Sequence, residues 1–111
     1  MGLLTYFADL RAARLIDELT KQLARKTYGL LRETSETRVP TMTHAEARGY
    51  LWAKARRIVS AEVAVTAVAQ PSLSPWALAV LTERTHDRLV RTMLADLMRD
   101  PVRHVQRRRA A

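Results

Sequence analysis

"RIVSAEVAVTAVAQPSLSPWALAVLTER", residues 57–84, decides what kind of molecule this chain forms. The 25 residues between Arg57 and Glu83 carry one formal charge, Glu62, so the stretch is either a membrane span or the middle of a folded core. A helical span takes about 20 consecutive, predominantly apolar residues, because each residue rises only ~1.5 Å and the hydrocarbon is ~30 Å thick. Here QPSLSP, residues 70–75, interrupts the run, and Glu62 stands inside its first half. Neither half is long enough. The stretch reads as two antiparallel helix ends meeting in a core, with PSLS, residues 71–74, as the turn.

Outward from that turn, glycine occurs only at 2, 29 and 49 and proline only at 40, 71, 75 and 101, which leaves long unbroken segments. Three helices are expected, over about 3–33, 43–70 and 74–100. The first fades into TSETRVPT, read as a polar linker with a turn at Pro40. The second opens with a capping box, Thr43 as N-cap and Glu46 three residues on. The third opens at Ser74 with Pro75 at its first helical position, where a missing N–H costs nothing, and stops before Pro101. No alternating apolar and polar run is bounded by hairpin turns, so strands are not expected. The fold class is all-α: a long-helix bundle of about three helices, the second and third forming an antiparallel hairpin. Residues 1–100 make one helical domain and 101–111 a basic C-terminal tail.

Helical spacing assigns the faces. In the third helix Leu89, Val90, Met93, Leu94, Leu97 and Met98 form an apolar stripe backed by Leu78 and Leu81, opposite a wet face of Glu83, Arg84, Asp87, Arg88, Arg91 and Arg99. In the second, Ala47, Leu51, Ala55, Ile58 and Val65 make one broad face, and Gly49, Ala53, Ser60, Ala64 and Ala67 line another with small side chains, as a central helix covered from two sides would need. The expected core contains Leu51, Ile58, Val65, Leu89, Val90, Met93 and Leu97, with both tryptophans, Trp52 and Trp76, inside. The first helix is in conflict with itself. Ala12, Leu15, Ile16, Leu19, Leu23 and Leu30 share one face, whereas Leu3, Phe7 and Leu10 lie roughly opposite. Either it kinks, or its first turns meet a different partner; the second option is preferred and makes Leu3, Phe7 and Leu10 candidate assembly residues.

Chemistry is sparse. With no cysteine there are no disulfides, thiolate nucleophiles or thiolate metal sites. His44, His86 and His104 stand apart without an H-x-x-x-H or E-x-x-H pair, and three scattered glycines supply neither a phosphate loop nor a nucleophile elbow. No enzyme activity, metal or cofactor is expected. Glu62, on the apolar face, needs a cation or a proton if buried. Hairpin symmetry places it near Glu83, Arg84 and His86. The opening MGLLTYFADLRAARL lacks the basic n-region and apolar h-region of a secretory signal, and Tyr6 stands where myristoylation requires Ser or Thr. The expectation is a cytoplasmic protein with no membrane association.

The basic residues are organised. Net charge is +8, and 16 of the 19 cations are Arg, whose planar fork grips phosphate bidentately. Arg11, Arg14, Lys21, Arg25 and Arg32 recur at helical spacing along one side of the first helix, interrupted by Glu18, and Arg107, Arg108 and Arg109 close the chain. These eight are the candidate contacts to a nucleic-acid backbone; the competing reading is a solvated face and a disordered tail. Few aromatics are free to stack bases, which leaves backbone contact without sequence readout. In length, helicity and Arg content the chain resembles the small helical subunits of CRISPR effector ribonucleoprotein complexes. That resemblance implies a non-enzymatic subunit that lines a filament with copies of itself or other subunits and holds a nucleic-acid strand. The alternative is a homo-oligomeric helical adaptor for an acidic protein surface.

Overall fold

Two caps set the ends of the central hairpin. Thr43, in extended conformation, accepts the Glu46 N–H on its hydroxyl at 3.2 Å, and Ser74 accepts that of Ala77 at 3.1 Å. Each satisfies one of the donors that a helix start leaves without a partner. The computed structural model describes residues 3–99, with side chains described from 10 to 96. The elements are α1 (Leu3–Ser35), a short 3₁₀ helix (Val39–Thr41), α2 (His44–Ala69) and α3 (Pro75–Arg99). All three helices pack against one another, and no strand occurs among the described residues. None of the described helices is long and apolar enough to cross a membrane.

The core forms along α2 at Ala47, Leu51, Ala55, Val59 and Val63. It is joined by Leu23 and Leu31 from α1, by Val39, and by Leu81, Leu89 and Met93 from α3. This seam is an i, i+4 row, and such a row drifts about 40° around the helix at each step. Over the four steps from Ala47 to Val63 it winds nearly halfway round α2. A straight-face reading overshoots at the far end: Val65 is exposed, Val63 is buried in its place, and Ile58 is only half-buried beside the fully buried Val59. The small-residue face opposite is not covered by the described residues, since Gly49, Ala53, Ser60 and Ala64 are exposed and only Ala67 is half-buried. In α3, Leu81, Leu89 and Met93 are buried as expected, Val90, expected in the core, is only half-buried, and the Leu97 and Met98 side chains lie outside the described residues.

α1 departs from its apolar pattern. Its buried seam runs Ile16, Thr20, Leu23, Ala24, Thr27, Leu31 and Ser35, with Leu30 exposed, Ala12 exposed, and Leu15 and Leu19 half-buried. The hydroxyls belong in the seam because each donates back to its own helix: Thr20 to Ile16 O at 2.7 Å, Thr27 to Leu23 O at 2.6 Å and Ser35 to Leu31 O at 2.5 Å. A bonded hydroxyl leaves no buried donor unsatisfied and presents a methyl or small surface to its neighbours. The linker is not wholly polar either, because Val39 plugs the core between α1 and α2.

Three ion pairs tie the helices in a ring. Lys26 Nζ meets Glu62 at 2.9 Å between α1 and α2, Arg56 meets Glu83 at 2.6 Å between α2 and α3, and Arg84 meets Asp17 at 3.2 Å between α3 and α1. Glu62 therefore finds its cation on α1, not among Glu83, Arg84 and His86; the residue that reaches Glu83 is Arg56. As surface pairs they set register more than stability. Tyr28 of α1 donates to the Asp96 carboxylate, a further tie to α3. Both tryptophans are exposed, contrary to the core assignment. Trp52 is still used: its carbonyl accepts the Nε2–H of buried His86 at 3.0 Å, and its ring stands edge-on to the imidazole at 5.0 Å. His86 is thus a buried latch between α2 and α3.

Candidate nucleic-acid interface

α1 turns its buried seam toward α2 and α3 and its opposite side outward. Arg11, Arg14, Lys21, Arg25 and Arg32 are all exposed on that outer side. Arg14, Lys21, Arg25 and Arg32 fall within about 40° of one another at ~100° per residue. From Arg14 to Arg25 the rise is about 16 Å. The structure brings these four into one line.

Charge partnership divides them. Arg32 is held by Glu36 one turn on, at 3.3 Å. The side chains of Arg11, Arg14, Lys21 and Arg25 form no ion pair or hydrogen bond with any described residue. Asp17, at the edge of the line, is taken by Arg84, which leaves Glu18 as the acid standing within it. Leu10, 36% exposed, extends the same side toward the start of α1. Of the other candidate residues, the side chains of Leu3 and Phe7 and the whole of Arg107, Arg108 and Arg109 lie outside the described residues.

Elsewhere Glu62, Glu83 and Asp96 hold helices together, while Glu36 and Asp87 pair one turn away, with Arg32 and Arg91. Arg56 and Glu83 act on each other, and the hydrogen bond between them raises the Arg56 pKa and lowers that of the Glu83 carboxyl. Among the described residues no three His, Asp or Glu side chains converge as a metal site would require.

One basic cluster is not apparent from helical spacing alone. Arg38, Lys54 and Arg57 border a groove with Thr34, Tyr50 and Ala53. The spacing of Lys54 and Arg57, one turn apart in YLWAKARR, is a signal, but Arg38 joins them only because the linker folds back beside α2. No protein-family model, curated protein or solved structure matches the chain. The resemblance to CRISPR small subunits accordingly rests on outline alone.

Proposed function

We propose that this chain is a non-enzymatic helical subunit of a nucleoprotein assembly, contacting nucleic-acid phosphates without reading sequence. The observation that supports it best is the outer side of α1, where Arg11, Arg14, Lys21 and Arg25 are exposed and have no carboxylate partner among the described residues. Three guanidinium groups and one ammonium at helical spacing suit a row of phosphates, each of which releases condensed counterion when neutralised. Such contacts position a strand and do not specify its sequence. Assembly through Leu3, Phe7 and Leu10 would multiply the row by placing copies side by side.

The test is a salt series of binding to single- and double-stranded nucleic acid of unrelated sequences. Replacing Arg14, Lys21 and Arg25 with Gln should reduce the log–log salt slope by about 0.7 to 0.9 for each phosphate no longer neutralised, equally for every sequence. Affinity and slope both unchanged would refute the reading. For the assembly, Leu3→Ser with Phe7→Ser should lower the light-scattering mass at unchanged helicity, and an unchanged mass counts against it. A second reading, an oligomeric adaptor for an acidic protein surface, draws on the exposed Val65, Val68 and Trp76 at the hairpin tip. It expects no nucleic-acid affinity at physiological salt.

A further inference from the structure

Between the C-terminal turn of α1, the segment after it and the first half of α2 lies an open groove of about 580 Å³. Its walls carry three cations, Arg38, Lys54 and Arg57, with the Tyr50 and Thr34 hydroxyls and the small side chain of Ala53. None of the three cations is in an ion pair with a described residue, although Lys54 is half-buried. The groove lies on the α2 flank of α1, whereas the Arg14–Lys21–Arg25 line faces outward, so the two basic surfaces are distinct.

The placement has a cost that the fold does not relieve. Lys54 and Arg57 are one turn apart on the same helix, a like-charge spacing that destabilises helices. A cation in the last turn of a helix is accounted for by the terminal carbonyls. Lys54 and Arg57 are not, because they lie well inside α2 (His44–Ala69), away from either of its ends. The Thr34 hydroxyl already donates to the Leu30 and Leu31 carbonyls, so the free donors are the three cations and the Tyr50 hydroxyl. With no carboxylate partner among the described residues, they match the oxygens of a phosphate from outside. Ala53 keeps the floor low, so that such a group can approach the helix.

We infer that this groove is a second, separate phosphate-binding site, taking a di- or polyphosphate or the backbone phosphates of a nucleic-acid strand. It goes beyond the α1 reading, and either can fail alone. Titration of the full chain with inorganic pyrophosphate, followed by calorimetry and by the amide resonances of Thr34 and Ala53, should show saturable binding at one site. Lys54→Gln with Arg57→Gln, at unchanged helicity, should weaken it by about ten-fold or more for each charge-assisted hydrogen bond removed. Arg14→Gln with Lys21→Gln should leave it unchanged. A single-stranded oligonucleotide that displaces pyrophosphate makes strand phosphates the ligand; one that leaves it in place makes a free di- or polyphosphate the ligand. Absence of saturable binding, or an equal loss in both double variants, which would reduce the effect to net charge, overturns the site.

Discussion

In the middle of the α2–α3 hairpin, Leu51, Ala55 and Val59 of α2 and Leu81 and Thr85 of α3 are fully buried, whereas near its tip Val65, Val68 and Trp76 are 62%, 84% and 70% exposed. The two regions have similar side chains, and the 20 residues from 63 to 82 carry no charge at all. What differs is the neighbour. At the middle the winding seam of α2 meets both other helices; toward the tip it has turned past Val65, and Val68 and Trp76 face away from the bundle. Apolarity made the tip available for burial without deciding that it would be buried within one chain. The middle carries the folding energy and the tip is left as surface.

The hardest test of that division is Leu51→Ala. Removing a fully buried leucine from the seam should lower stability by about 2–5 kcal/mol, the transfer loss plus the cavity left behind. A denaturation midpoint followed by circular dichroism measures it, and a loss of less than about 1 kcal/mol would mean that the middle is not the core.

Thr85 sharpens the same point from the opposite direction. It is fully buried, and its hydroxyl has no hydrogen-bond partner among the described residues, unlike the back-bonded Thr20 and Thr27. Thr85→Val keeps the shape and β-branching and removes the orphaned group, so it should raise stability by about 1 kcal/mol. A decrease would mean that the hydroxyl is satisfied after all.

At the tip, Val65→Ser and Val68→Ser should each change stability by no more than about 0.5 kcal/mol, as substitutions away from packed features do. A loss on the scale of Leu51→Ala would erase the contrast between the regions.

The smallest effect lies on the outer surface of the hairpin. Glu83 has its pKa lowered by the hydrogen bond from Arg56. A carboxyl depressed on folding adds stability above its unfolded pKa, and that stability fades as pH falls through the folded value. Glu83→Gln should therefore flatten slightly the acid side of the stability profile, below the ordinary carboxylate range, and leave neutral pH almost unaffected, because the pair is solvated. Thermal melts across that range would show it, and an unchanged acid limb would assign the pair no part in linkage.

Much of the architecture can be read from residue order. Pro75 after Ser74, Thr43 before His44, and the scarcity of glycine determine where helices begin and that they are long. The outer line of α1 is equally local, since spacings of 4 and 7 residues put Arg14, Lys21, Arg25 and Arg32 on one side whatever packs behind. The groove is different, because Arg38 approaches Lys54 and Arg57 through the path of a linker that no periodicity encodes. So are the burial of Val63 in place of Val65, the cation for Glu62 and the latch at His86.

By itself, then, the sequence determined three helices, their turn and a basic side to the first, because caps, breakers and spacing act within a few residues of one another. Tertiary structure alone decided which apolar side chains are covered and which charges are left unpaired. Both depend on the angle at which one helix crosses another, and an i, i+4 seam that drifts about 40° at every step turns a small difference in that angle into a different set of neighbours.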